Sequence, residues 1–501
     1  MKSLKKAYEK APAVFSTLLC VALAVISIGV YALVGALPIK ARSYDITPQG
    51  VFTLSEQTGK LLKDMDGEVE ILLVTDSGIP NMSIVDKLLQ RYASYSDKLK
   101  ITPVYPDEVP RQYGTMLAGS VIVKSDKRET AVYSSDYFDV SEEFFNLSYN
   151  YYYYATQQGY ELGTYTQFMN SGYAESLGLF DIAKYELVLT TAIDYVLKDD
   201  ITTVYAVTGH GETGLEAYMY PELRQNYTEI ISGTLDNGIP ENADGILILD
   251  PTSDITEQEY RLLSEYQRSG GKLALVTSYS NAGNLTLLKK LCEEYGLSTD
   301  GGFICEDEKD YNMNGYPQII RPTVNTDALE GYLPDFTGQP VFSGGTGITV
   351  TEKQGISTVT FLSTSENAYS KTDAENAESP DFNQATDVRG KYGLGVIATD
   401  SASGGELMWI TSFSLNNSDY DVVASGSNYP VFTAALSALF DSDKAPDISP
   451  MSIISDSIEA PEGAFAAAIT LSIAIPCIIM LAYGLIAYSR RRVKKAEENE
   501  A

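Results

Sequence analysis

Two stretches of the chain are apolar without interruption, and between them apolar and polar positions follow the periods of strands and helices. Residues 13–37 (AVFSTLLCVALAVISIGVYALVGAL) are uncharged, as is everything between Lys10 and Lys40. At ~1.5 Å per residue this run exceeds the ~30 Å hydrocarbon core of a bilayer and reads as a transmembrane helix. It is about twice the ~7–15 residues of a signal-peptide core, which favours a retained anchor. A second uncharged run covers 463–488, with Pro476 placed to kink it. Lys2, Lys5, Lys6 and Lys10 precede the first run, and Arg490, Arg491, Arg492, Lys494 and Lys495 follow the second. That bias predicts cytoplasmic tails at 1–12 and 489–501, membrane lipid around both spans, and a large extracytoplasmic domain at the plasma membrane.

Between the spans the pattern predicts α/β structure. In 44–140, Ser55 is placed to cap a helix, and strands are expected at 69–75, 99–104, 120–124 and 130–133, with a helix at 83–95. A βαβ unit followed by a hairpin is the order of a thioredoxin-like fold, although no C-x-x-C accompanies it. Residues 141–180 form a tyrosine-rich insertion. In 181–440, buried β-branched runs at 202–208, 245–250 and 272–277 alternate with helical spacing at 180–197, 214–231, 257–268 and 284–295. Such alternation predicts a doubly wound parallel sheet, flavodoxin-like or glutamine-amidotransferase-like. Thr256 and Glu259 read as a capping box, with Ile255 and Tyr260 as its hydrophobic staple. Residues 300–390 are polar and poorly periodic, an irregular insertion with one strand at 357–362. The sheet is expected to resume at 394–399 and 406–412, a helix follows at 429–440, and 441–462 is an acidic linker.

Composition narrows the function. The 501 residues hold 36 Lys plus Arg against 67 Asp plus Glu, a net charge of −31, which excludes a nucleic-acid partner. One histidine excludes sites built on several imidazoles. No G-x-x-x-x-G-K-[ST] is present, so no Walker A loop supports ATP hydrolysis. Four cysteines exclude a disulfide scaffold. Cys292 and Cys305 stand as either a pair or two buried thiols.

The sharpest candidate site is Thr208, Gly209, His210, Gly211 and Glu212, at the carboxyl end of a predicted strand, where open α/β sheets place ligand crevices. Asp250 and Ser278 end the neighbouring strands and would line the same crevice. His210 and Glu212 could act as an acid/base pair, but no nucleophile motif accompanies them, so ligand or partner contact and a structural turn are the readings kept. No cofactor and no metal are expected. Asp310, Asn312 and Asn314 open like an EF-hand loop, but Arg321 stands where the bidentate glutamate belongs, which leaves an Asn-Gly turn.

Four segments, RSYDITPQGVFTLSEQTGKLL (42–62), YELVLTTAIDYVLKDDITTVYAVTGHGE (185–212), IPENADGILILDPTSDITEQEYRLLSEYQRSGGKLALV (239–276) and LSTSENAYS (362–370), together resemble the GldG family. Its members are auxiliary subunits of ABC-type transport systems, first associated with gliding motility. The last exterior strand, ITSFSLNNSDY (410–420), departs from the family's Gly-Asp-Ser-Asp-like turn. The resemblance implies a non-enzymatic, membrane-anchored subunit that binds substrate or partner beside a separate ABC permease and a cytoplasmic ATPase. Two rivals are an anchored extracellular hydrolase using His210 and Glu212, and a surface adhesin or carbohydrate binder using the tyrosine insertion.

Overall fold

A computed structural model of the chain describes residues 50–75, 84–333, 339–374 and 379–453. Its first helix, α1 (Glu56–Asp64), starts where Ser55 takes an extended conformation and its side chain accepts the Thr58 N–H. A four-stranded sheet follows, made by β1 (Val69–Val74), β2 (Leu99–Val104), β3 (Val121–Lys124) and β4 (Glu129–Val132), with α2 (Ile84–Ala93) between the first two. Its order is β2-β1-β3-β4; β1 and β2 are parallel, and β3 and β4 antiparallel.

The tyrosine-rich stretch folds as α3 (Glu142–Gln157) and two short helices, Tyr165–Met169 and Tyr173–Ser176. Phe145, Tyr165, Phe168, Met169 and Leu179 give it a small core of its own. The next helix, α4 (Tyr185–Leu197), shares a core with α1, α2 and one face of the first sheet. The Thr190 hydroxyl lies 2.7 Å from the Tyr92 hydroxyl and 2.9 Å from that of Thr58, so a satisfied polar network joins the three helices.

The central sheet contains β5 (Thr202–Val207), β6 (Thr228–Gly233), β7 (Gly245–Leu249), β8 (Lys272–Val276), β9 (Thr323–Val324), β10 (Ile356–Ser363), β11 (Gly393–Asp400) and β12 (Glu406–Ile410). Their order is β9-β10-β11-β12-β8-β7-β5-β6. Successive side chains alternate between two covered faces. Leu247, Leu249, Ala274, Val276, Met408 and Ile410 pack under α5 (Met219–Gln225) and α8 (Asn428–Leu439). Ile246, Ile248, Leu273, Leu275, Leu407 and Trp409 pack under α6 (Glu257–Arg268) and α7 (Thr286–Glu294).

Three expectations are corrected. The doubly wound parallel sheet is a mixed one: the five parallel strands β6-β5-β7-β8-β12 continue into β11, β10 and β9, each antiparallel to the last. The reason is the connection at 401–405, whose turn is closed by Asp400 N–H to the Gly405 carbonyl. A parallel neighbour needs a crossover of about a dozen residues or more, and this loop permits only a hairpin. The helix expected over 214–231 is only α5, and the last four of the expected positions begin the edge strand β6.

The two-span membrane topology is corrected as well. No helix among the described residues is long and apolar enough to cross a membrane. The longest, α3, has 16 residues, and at ~1.5 Å each it rises about 24 Å, short of the ~30 Å required. The assignment of cytoplasmic termini around a large extracytoplasmic domain falls with it. The segments 13–37 and 463–488 that prompted this expectation, and the tails at 1–12 and 489–501, lie outside the described residues.

Within the insertion at 300–390 short strands pair with one another. Phe303–Glu306 pairs with Ala368–Lys371, which pairs with Asp387–Arg389. Asn312–Met313 pairs with Tyr316–Ile320, and the turn between places Asn314 and Gly315 at φ 53° and 81°. This is the expected Asn-Gly turn, in hairpin form. Cys292 and Cys305 are both buried and free.

Candidate functional site

The carboxyl ends of β5 and β7 lie side by side in the parallel part of the sheet, and the loops that leave them build the site. After Thr208, whose N–H donates to the Gly233 carbonyl at 2.9 Å, the chain reverses through Gly209 (φ 123°) and Gly211 (φ 76°). Glycine is required at 211 for a second reason: a Cβ there would sit 2.0 Å from the Thr252 hydroxyl oxygen. The His210 carbonyl accepts the N–H groups of Thr252 and Ser253, both at 3.0 Å, and their hydroxyls at 3.2 and 3.1 Å. Thr213 N–H closes the loop on the Leu249 carbonyl.

The imidazole of His210 is 10% exposed and lies between two carboxylates. Nδ1 is 2.9 Å from Glu212 Oε1, and Nε2 is 3.2 Å from Glu259 Oε2. The other Glu212 oxygen accepts the His210 backbone N–H at 2.7 Å. Both ring nitrogens can donate only when the ring is protonated, so this geometry selects the imidazolium. Burial pulls the His210 pKa down, but the hydrogen bonds to Glu212 and Glu259, with the charges of both, outweigh it and raise the pKa above the ordinary value of 6.5. For Glu259, burial pushes the carboxyl up; the Thr256 N–H, the Thr256 hydroxyl and His210 together pull it below the ordinary 4.5.

Glu259 serves two structures at once. As the third residue of α6 it completes the capping box, with Thr256 N–H and hydroxyl each 2.7 Å from Oε2 and its own N–H bonded to the Thr256 hydroxyl at 3.3 Å. Through the same oxygen it holds His210. The chain's one imidazole therefore pins the loop after β5 to the start of the helix after β7. Asp254, in the connecting loop, accepts the Leu287 and Leu288 N–H groups and caps α7.

The expected site residues divide into two groups. Thr208 to Glu212 are joined to 252–259. Asp250 and Ser278 are buried, but they bond elsewhere: Asp250, at φ 48°, accepts the Asn281 side-chain amide at 3.1 Å, and the Ser278 hydroxyl lies 3.0 Å from that of Ser280. Residues 252, 253 and 259 were not anticipated at the site. The strand ends were read as neighbours through Asp250, but nothing local shows which residues of the following loop turn back onto His210. Among the described residues no group of three or more His, Cys, Asp or Glu side chains is arranged to hold a metal ion.

No protein-family model and no curated protein matches the chain. Among solved structures, the mmIFT52 N-terminal domain is similar at 15% identity and a TM-score of 0.34, over 50% of this chain and 100% of that one. A beta-galactosidase from Rahnella sp. R3 is similar at 12% identity and a TM-score of 0.28, over 54% of this chain and 36% of that one. PurLQS from Thermotoga maritima is similar at 10% identity and a TM-score of 0.26, over 48% of this chain and 100% of that one. At these scores no inference about this chain follows.

Proposed function

We propose that this chain is a non-enzymatic auxiliary subunit of an ABC-type transport complex, which binds substrate or partner while a separate permease and ATPase move the cargo. The observation that carries the non-enzymatic part is the closure of the His210 site. A general base needs a free ring nitrogen within reach of a proton to abstract, and here both nitrogens are committed to carboxylates. The nearby hydroxyls of Thr252 and Ser253 are spent on the His210 carbonyl. What remains is a rigid, charged loop at the strand ends of the sheet, a geometry suited to contact. The transport part rests on the GldG-like segments at 42–62, 185–212, 239–276 and 362–370.

The test is a turnover survey of the purified chain against ester, peptide and glycan substrates, with His210→Ala beside the wild type. The expected result is no turnover that the substitution removes. Hydrolysis abolished by His210→Ala, with circular dichroism unchanged, contradicts the proposal.

A further inference from the structure

A cavity of about 580 Å³ opens between the first sheet, the tyrosine-rich insertion and the α5–α8 side of the central sheet, and no residue of 208–213 lines it. Its charged lining is unbalanced: Asp136, Asp139, Glu222 and Asp421 face Lys184 and Arg224. Lys184 is already paired with Asp139 at 3.3 Å. Among the described residues neither Glu222 nor Asp421 lies within ion-pairing distance of a cationic group, although the Lys184 charge reaches Glu222. Glu222 accepts the Thr433 hydroxyl at 3.1 Å, and Asp421 accepts the Asn428 and Tyr429 N–H groups at 3.0 and 3.2 Å.

Both carboxyls are half-buried, with the cavity they line on one side of them. Burial raises Glu222, with Lys184 opposing, and pushes Asp421 up to about 7 against the pull of the Tyr429 and Asn428 N–H groups. Aromatic rings complete the walls, among them Phe145, Phe180, Tyr165 and Tyr429. Tyr429 is only 6% exposed, and its hydroxyl, with Ser418 near it, makes no hydrogen bond of normal geometry.

From the cavity, its two carboxyls without an ion-pair partner and its aromatic walls, we infer a binding site for a small organic cation, a primary amine carried on an apolar body. An ammonium group offers three donors and a full charge to Glu222 and Asp421, and the rings receive the apolar part and the cation's field. An anion would meet like charge on both carboxyls, and a neutral body brings no charge to favour their ionised forms. The inference does not rest on the transport reading: an amine can bind here whatever the chain assembles with, and assembly can occur with this cavity empty.

Isothermal titration of the full chain with phenethylamine, spermidine and agmatine, beside 2-phenylethanol and 3-phenylpropionate, tests it. Saturable binding of at least one amine is expected, with no binding of the alcohol or the carboxylate. Glu222→Gln and Asp421→Asn keep shape and one acceptor oxygen each, and each should weaken the amine roughly ten- to a hundredfold, the range for losing a hydrogen bond to a charged group. Circular dichroism checks that the variants fold; if one does not, the other carries the test, and the ligand panel on the wild type needs neither. Equal binding of the alcohol, preference for the carboxylate, amine affinity unchanged in a folded variant, or no saturable binding of any amine at millimolar concentration overturns the inference.

Discussion

Replacing His210 with alanine removes the cation between Glu212 and Glu259 and leaves two carboxylates facing an emptied space. The Glu212 side chain is 3% exposed and that of Glu259 15%, so solvent offers little compensation. Each lost charge-assisted bond is worth roughly 1.5–3 kcal/mol. Glu212 keeps the backbone N–H of residue 210 and Glu259 keeps Thr256, which places the sum near the lower end, about 3–4 kcal/mol. The pH dependence follows from the direction of each shift. The raised pKa of His210 makes its contribution complete below the unfolded value near 6.5 and lost as pH climbs through the folded value. The lowered pKa of Glu259 makes its contribution present above about 4.5 and lost as pH falls through the folded value. The gap between wild type and variant should therefore be widest between about pH 4.5 and 6.5 and should narrow on the alkaline side. Trp409, the only tryptophan in the chain, is 1% exposed and donates to the Thr277 hydroxyl, so its fluorescence in a urea titration reports the central sheet. A gap that stays constant from mildly acidic to alkaline pH, or a variant as stable as wild type, refutes the reasoning.

The other predictions test the loop, the cap and the thiols. Gly211→Ala should destabilise the central sheet by about 1–2 kcal/mol from the left-handed backbone alone, with the Thr252 contact adding to it; the same fluorescence titration measures this, and no change would mean the turn is not tightly held. Thr256→Ala removes the cap of α6 and one support of Glu259, so it should cost about 0.5–2 kcal/mol, and coupling with His210→Ala in a double-mutant cycle should be non-zero. Burial raises both thiols, Cys305 to about 12, so an alkylating reagent followed by peptide mass spectrometry should find Cys292 and Cys305 unlabelled in the native chain and labelled after denaturation.

Elements with strong local signals were legible from the sequence. The Thr256–Glu259 box, the apolar runs of β5, β7 and β8, and the Ser55 cap each stand where local chemistry put them. The edge strand β6 was hidden because it begins three residues after α5 ends and shares its apolar content. Strands of two to five residues between 297 and 350 are too short to show a period. At the site, the TGHGE loop was visible but its partner was not: Glu259 is 49 residues from His210 and already had a sufficient role in its own helix. The cavity's Asp139, Glu222 and Asp421 come from three separate parts of the chain, and no local pattern links them.

The most direct test of the proposed role is isolation of the tagged chain from cells that express it natively, with the recovered proteins quantified by mass spectrometry. The account predicts a permease and an ATPase recovered in fixed ratio to the chain, and the chain recovered in turn when the permease carries the tag. Recovery of the intact chain without either, from cells shown to contain both, would contradict it.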